Sequence, residues 1–305
     1  MVHYIVRRLL YFIPTLIMVY TVTFLLMRAA PGSPFIQERG MPEEVLEARR
    51  KHYYVDRPVY QYFRFAWDLV SLQGMPSIRY PKRNVVHDIL GPAFPVSLSL
   101  GICAIGLAVV LGTAAGMASA ARPRTLLDYA AMTGAMIGVS QPSFVIATVL
   151  MGVFTFVLRW LPVGGWGRPE QIVLPALALS ALPAAYIARL VRTGMLEVLS
   201  ADYIRTARAK GLAEYRVLLD HALRNAWLPV LGFLGPAAAG VFTGSFVIER
   251  IFAIPGVGQH FVDAALHRDH PLILASELLY AGLLIVFNLV VDVGYAWLDP
   301  RIRYE

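Results

Sequence analysis

Apolar residues run in long blocks along this chain, separated by short charged segments. Six blocks reach the roughly 20 residues that a helix needs to cross a bilayer: residues 9–30, 94–120, 129–158, 172–191, 228–248 and 273–298. The predicted fold class is an all-α polytopic membrane protein with six transmembrane helices. The first block follows Arg7-Arg8. It is too long for the apolar core of a signal peptide, and Pro31 would directly follow a cut at Ala29-Ala30, so an uncleaved first span is expected. The third block is long for a straight crossing. Its Gln141-Pro142 step, flanked by Ser140 and Ser143, predicts a kink near mid-membrane. Pro175 and Pro183 fall in the fourth block, and Pro229 and Pro236 in the fifth.

Residues 31–93 break the pattern, being charged, aromatic and rich in proline. Pro42 opens a helical pattern through Glu43, Val45, Leu46 and Ala48, and Pro58 opens another with Tyr62, Phe63, Phe65 and Ala66. About sixty residues build little core alone, so this segment should pack on the membrane part or on a neighbour. The expected division is 1–30, the N-terminus and first helix; 31–93, a small helical extracytoplasmic domain; and 94–305, a five-helix core with a cytoplasmic loop at 199–225.

Composition narrows the class. Hydrophobic residues make up 57% and charged residues 15%, against roughly 25% charged in soluble domains. An ordinary soluble fold and a disordered chain are excluded. With 24 Gly and one Cys, so are collagen-like and disulfide-rich chains. Cys103 lies inside an apolar run and reveals no redox compartment. The net charge of +7 does not require nucleic acid, because basic residues belong in cytoplasmic loops and at headgroups. With the N-terminus inside, the inner segments carry thirteen basic residues and the short outer ones five; the nine within 31–93 are discounted, since long translocated loops obey the rule poorly. Both termini are therefore expected in the cytoplasm.

Small residues recur every fourth position: Ala104, Ala108, Gly112, Gly116 and Ala120 in the second block, Gly134 and Gly138 in the third, Gly240 and Gly244 in the fifth. Such stripes let helix backbones approach closely. They fit packing within the chain, or contact with a partner subunit.

The inner loop from Leu199 to Trp227 is the most structured connection. Ser200 is placed to cap a short helix, with Asp202 in its first turn and Arg208 and Lys210 in its last. Gly211 is placed to end it in a left-handed turn. Tyr215, Leu218, Leu219, Ala222 and Leu223 space a second helix. A short basic helix, a tight turn and a second helix suit docking to a partner, or lying on anionic lipid.

Here the residues become recognisable. Asp202-Tyr203-Ile204-Arg205-Thr206-Ala207-Arg208-Ala209-Lys210-Gly211-Leu212 resembles the coupling loop of ABC importer permeases of the dipeptide/oligopeptide/nickel group. Similar stretches run nearly end to end: Arg7-Arg8-Leu9-Leu10, Pro31-Gly32-Ser33-Pro34, His221-Ala222-Leu223-Arg224-Asn225, Leu228-Pro229, Phe252, Pro255-Gly256-Val257-Gly258, Arg268-Asp269-His270-Pro271 and Leu298-Asp299-Pro300-Arg301. Two departures narrow the group. The glutamate that opens the general importer motif is replaced by Arg205, and Gly211 lies further from Leu228-Pro229 than in the general pattern. The stretch Gln73 to Asn84 is less typical.

The resemblance implies a permease of the bacterial or archaeal inner membrane that forms half of a translocation path. It implies a second, related permease as partner in a heterodimer, two ATPase subunits and an extracytoplasmic binding protein. It implies ATP and Mg on the ATPases and no cofactor on this chain, which carries no phosphate-binding loop and is not expected to be an enzyme. Peptides are the expected cargo, with nickel chelates and other small solutes as alternatives. The ATPase-contacting set it implies is Arg205, Ala207, Arg208, Lys210, Gly211 and Leu212. For the path itself, Ser140, Gln141 and Ser143 are polar beside a mid-span proline, and Asn288 and Asp292 lie in the sixth block; each can serve the path or an interhelical hydrogen bond.

Other chemistries are weaker. His260, His267 and His270 cluster near Asp263 and Asp269, but the last of them belongs to a motif that the whole group shares, so no metal site is expected. There is no His-Glu-x-x-His and no Gly-x-Ser-x-Gly. A secondary transporter is the main alternative, yet the halves show no convincing repeat and no mid-membrane carboxylate pair.

Overall fold

The structure is a computed structural model and describes residues 2–31, 35 and 42–298. Gly32-Ser33-Pro34, Asp299-Pro300-Arg301 and Arg303 lie outside the described residues, as do the side chains of Arg7, Arg8 and Asp292 and the position of Gly244 within its stripe. In chain order the main helices are α1 (Val2–Ala29), α2 (Glu43–His52), α3 (Pro58–Val70), α4 (Gly91–Ala121), α5 (Leu126–Ser140), α6 (Ser143–Met151), α7 (Pro169–Leu199), α8 (Asp202–Ala209), α9 (Glu214–Arg216), α10 (Arg224–Ala226), α11 (Leu228–Ile251), α12 (Val257–His267) and α13 (His270–Leu298). Wider π-helical turns at Val85–Leu90, Gly152–Val157 and Val217–Leu223 lead into α4, extend α6 and join α9 to α10. The only extended pairing among the described residues is a bridge between Pro76 and Asn84.

The chain folds as two compact units. One is built from residues up to Ser97 together with Pro255–Ile285, the other from Leu98–Ile254 with the chain from Val286 onward.

In the first unit, α1 is apolar and satisfies its own polar side chains: the Thr15 and Thr21 hydroxyls donate to the carbonyls of Tyr11 and Ile17, four residues back, at 2.9 and 2.7 Å. α3 carries two apolar faces. Its inner face, with Phe65 buried and Tyr62, Ala66 and Leu69 beside it, closes a core with Tyr20, Phe24, Tyr53, Met75, Ile78 and Leu274. The segment before α4 is pinned by Asn84, whose side chain accepts from the backbone N–H groups of Val86 and His87. The turn between α12 and α13 explains the Arg268-Asp269-His270-Pro271 pattern. Arg268 takes a left-handed conformation (φ 55°). Asp269 is fully buried and accepts from the Ser77 hydroxyl, from the Arg79 N–H at 3.1 Å and from the Leu272 N–H at 3.3 Å. Pro255-Gly256-Val257-Gly258 opens α12, and the Val257 N–H donates to the Ser97 hydroxyl at 2.8 Å.

In the second unit α7 is central, packing against α5, α6, α10 and α11. The stripe on α4 closes on it. A Cβ on Gly112 would lie 2.6 Å from the Ala184 carbonyl oxygen, and one on Gly116 2.5 Å from that of Ala188. Ala104, Ala108 and Ala120 on the same stripe are buried. This settles the open question for the second block: Gly112 and Gly116 pack within the chain. Gly138 likewise approaches Ala181, whereas Gly134 and Gly240 have open space where a Cβ would stand.

Among the described residues four helices are long and apolar enough to cross a membrane alone, and two broken pairs bring the number to six if each is one span. Two expectations need correction. The third block is not a kinked helix. Gln141 and Pro142 leave the helical region altogether (ψ 133° and 145°), and the flanking segments turn by 113°. The proline ring pushes its predecessor into extended backbone, and two successive extended residues make a corner rather than a bend. The fourth block does not stop at 191 but continues as helix to Leu199, with Gly194 inside it packed against Ala226.

Candidate functional site: a protruding hairpin and a proline-lined cleft

Residues 200–226 fold as a helical hairpin on the end of α7. Ser200 does not cap α8. Its backbone ends α7 instead, its hydroxyl donating to the Glu197 carbonyl at 2.7 Å, and Ala201 takes the capping position with no side-chain bond. Asp202 and Arg208 stand in the first and last turns of α8 as the sequence implies. Gly211 adopts φ +77° with nothing within 4 Å of where a Cβ would stand, so it is there for conformation and not for space. Ile204, Ala207 and Val217 form a small core between the arms, with Val198, Leu199 and Leu212 around it.

This core sorts the residues of the loop motif. Arg205, Arg208, Lys210 and Gly211 are exposed on the hairpin and Leu212 is half-buried. Ala207 is 6% exposed and faces the hairpin's own core. Its small side chain lets α8 close on Val217. Arg208 is not a free charge. Its guanidinium donates twice to Glu214, at 3.1 and 2.6 Å, and the fork spans the Gly211 turn. Hydrogen bonding to Arg208 holds the Glu214 carboxyl below the usual carboxylate range. Sequence reasoning passed over Glu214, although an acid six residues beyond Arg208, across a turn glycine, is the available signal.

The second arm is fixed to α7. Ala222 and Ala226 are buried against Ile187, Val191 and Met195. A Cβ on Gly194 would lie 3.1 Å from the Ala226 Cα. The Asn225 side chain donates to the Tyr203 hydroxyl at 2.8 Å, joining the two arms. A further tie was not anticipated from the sequence. Arg192 on α7 donates to both carboxylate oxygens of Asp128 on α5, at 2.8 and 2.9 Å, and to Ser119 at the end of α4 at 2.9 Å. The Ser119 hydroxyl and the Arg124 N–H also donate to that carboxylate. Three helices thus share one ion pair, its Asp128 side buried and its Arg192 side half-buried, and a lone aspartate opening an apolar helix was its only trace.

The cleft lies further along α7. It has a volume of about 710 Å3, and its walls include Ser140, Gln141, Pro142 and Ser143 from the break, Leu179, Pro183 and Tyr186 from α7, and Phe233 and Pro236 from α11. Tyr186 and Phe233 lie ring to ring at 5.2 Å. Three prolines meet here, one from each wall. Pro183 and Pro236 lie inside helices, where each leaves the carbonyl four residues back without its donor. Ser140, Gln141 and Ser143 are therefore brought together. Asn288, on α13, is not among the lining residues. Tyr186 and Phe233 had no signal in the sequence, since aromatic residues in apolar helices are common.

The histidines do not converge. Among the described residues no group of three metal-ligating side chains occurs. The His267 ring bonds the Asp263 carbonyl at 2.7 Å, and burial pushes the His260 imidazole below its ordinary value.

Comparison with known proteins places this geometry. Residues 108–304 match the family described as binding-protein-dependent transport system inner membrane component. The chain is 46% identical to the oligopeptide transport system permease protein OppB of Haemophilus influenzae over 307 residues, covering all of both chains. It is 47% identical to OppB of Escherichia coli K12 over the same span, and 43% identical to the dipeptide transport system permease protein DppB of Bacillus subtilis, covering 99% of this chain and 98% of that one. Among solved structures, a chain of the inward-facing methionine ABC transporter MetNI superposes with a TM-score of 0.56 at 15% identity, covering 68% of this chain and 95% of that one, a likeness of fold alone.

Proposed function

The chain belongs to the binding-protein-dependent transport system inner membrane components, the permease subunits of ABC importers, and from that premise we propose that it carries di- or oligopeptides through the cleft beside Gln141, driven through the hairpin at 200–226. The relatives that match it over its whole length are named as oligopeptide and dipeptide permeases. In this reading six spans cross the inner membrane with both termini in the cytoplasm; the pair broken at Gln141-Pro142 is the third span, and Leu228–Ile251, following the second hairpin arm, is the fifth. Residues 31–93 lie on the outer side, where a binding protein delivers cargo. A second, related permease completes the path. ATP and Mg belong to two partner ATPases.

The observation that carries the reading is the continuity of α7. One helix lines the cleft at Ala178–Tyr186 and ends in the hairpin at Leu199. From Tyr186 to Leu199 is about 20 Å at 1.5 Å per residue. Over that length Arg192 fixes α7 to α5, and Ala222 and Ala226 fix it to the second hairpin arm. An ATPase that moves the hairpin therefore moves a cleft wall as a rigid body, and the corner at Gln141-Pro142 is where the opposite wall gives. Arg205, Lys210, Gly211 and Leu212 present the contact surface. Arg208 holds the turn through Glu214, and Ala207 packs inside. Within the cleft, Gln141, Ser140, Ser143 and the freed carbonyls suit the N–H groups of a peptide main chain. The aromatic pair and the apolar walls tolerate varied side chains.

A photo-reactive residue in place of Arg205, which is exposed and makes only a 3.6 Å contact with Asp202, tests the coupling surface. In native cells it should capture a nucleotide-binding ATPase. Capture of lipid alone by the inserted chain would remove the hairpin from the coupling surface.

A further inference from the structure

The outer face of α3 is as apolar as its inner one. Val59, Phe63, Trp67 and Val70, spaced at three and four, are 70%, 66%, 62% and 81% exposed, and Tyr60 adjoins them at 51%. An amphipathic helix on a water-facing domain would turn this side polar. A stripe of large apolar residues on a 13-residue helix marks a surface that something covers.

The height of α3 along its neighbours identifies the cover. On α1, nineteen residues separate Arg8 from Arg28. At 1.5 Å each they span about 28 Å, close to the ~30 Å of a hydrocarbon core, so α1 has no apolar length to spare. Arg28 then marks the outer boundary, and there its guanidinium donates to the Val55 carbonyl and to Gln61 at 3.2 and 2.9 Å. The next residue of α3, Tyr62, is tied to side chains that start deeper on α1. Its carbonyl accepts from the Tyr20 hydroxyl at 2.6 Å, and its own hydroxyl bonds that of Thr21 at 2.7 Å. Tyr20 and Thr21 lie seven or eight residues inside Arg28, a depth of about 11 Å. A second helix gives the same answer. The α3 core includes Leu274 and reaches Leu278, inside the apolar stretch His270–Val290 of α13.

We propose that α3 is embedded in the outer leaflet, its stripe of Val59, Phe63, Trp67 and Val70 facing acyl chains. It continues the lipid-facing side of α1, where Val22, Leu25 and Leu26 are likewise exposed. The ends of α3 fit this seat. Asp56 and Arg57 precede it at the headgroup end, and Arg64, the cation on its outer side, is paired with Asp68 at 3.2 Å. Segment 31–93 is then partly a membrane element that braces the first and last spans from outside.

The inference rests on the reading of α1 as a span, and the test separates the two. In the assembled importer, with Cys103→Ser and partner cysteines removed, nitroxides are attached at Phe63→Cys, Trp67→Cys and, as a depth reference, Met18→Cys on the exposed side of α1. The complex is reconstituted in phosphatidylethanolamine–phosphatidylglycerol vesicles. Collision with oxygen, which concentrates in lipid, is compared with collision with an aqueous nickel chelate. The expected result is severalfold greater access to oxygen than to the chelate at 63 and 67, as at 18. Free access of the chelate at 63 and 67 puts α3 in water and overturns the proposal. Shielding from both probes means that protein covers the stripe, and overturns it too. Chelate access at 18 would instead remove α1 from the membrane, and with it the span reading.

Discussion

Gly116 and Gly240 look alike in the sequence, each within a stripe of small residues at four-residue spacing. In the fold they do opposite things. At Gly116 the α7 backbone lies where a Cβ would stand, 2.5 Å from the Ala188 carbonyl oxygen. A Cβ on Gly240 would meet nothing within 4 Å beyond its own helix, and the residue lines the cleft. The first glycine holds two helices together, while the second keeps a space open. Where this chain must be rigid, along the α4–α7 seam, small residues are used to exclude everything else. Along the cleft, they are used to leave room.

The largest effect should come from breaking the clamped side. Gly116→Val drives a branched side chain into main chain that cannot move aside, and should cost on the order of 3 kcal/mol. Gly240→Ala should not lose stability and should gain up to about 1 kcal/mol of helix propensity, because its methyl meets open space. Thermal unfolding of the two purified variants in detergent measures both. Equal losses would show that the cleft is closed by contacts of its own and would dissolve the contrast.

Gly211 adds a third use, in which neither contact nor space matters. Its φ of +77° is a conformation that a branched residue rarely adopts. Gly211→Val should leave insertion and thermal stability nearly unchanged yet abolish transport, since the hairpin would present its basic residues wrongly. Gly211→Asn, which tolerates the left-handed region, should keep most of the activity. The measurement is uptake of a labelled peptide into vesicles or cells, beside the amount of chain in the membrane. Transport by the valine variant would detach the hairpin's shape from coupling.

How far the sequence shows these differences follows from what each depends on. The helical class, the hairpin with its left-handed glycine and the break at Gln141-Pro142 are local, set by hydropathy and by the backbone preferences of glycine and proline, and they are readable as such. The sharpness of the break is less so, because a proline in a helix usually bends it. Here Gln141 and Pro142 both leave the helix, and the chain turns a corner. Ser200 misleads for a related reason: it is a good capping residue at a good place, but α7 runs on to Leu199 and claims it as its end. Residues whose meaning is a partner from elsewhere in the chain stay hidden. Asp128 finds Arg192 sixty-four residues away, and Tyr186 finds Phe233 across the cleft. Glu214 lies between these cases, near enough to Arg208 to be suspected.

The smallest effect tests whether the hairpin needs that fork. Both partners are substantially exposed, with side chains 42% and 57% accessible, so solvent screens the pair and removing it should cost less than about 1 kcal/mol. Arg208 keeps the Glu214 carboxyl below its usual range in the fold. The pair's contribution is therefore fully present above the unfolded carboxylate value and is lost as pH falls through the lower folded one. Stability near neutrality should not respond, and a shallow loss should begin only in acid. Glu214→Gln should remove that acid loss while leaving transport at pH 7 within about twofold, a change worth roughly 0.4 kcal/mol. A much larger fall in transport, with the fold intact, would give the fork a part in meeting the ATPase itself. The turn at Gly211 would then be held not only by its backbone but by a charge pair that the partner reads.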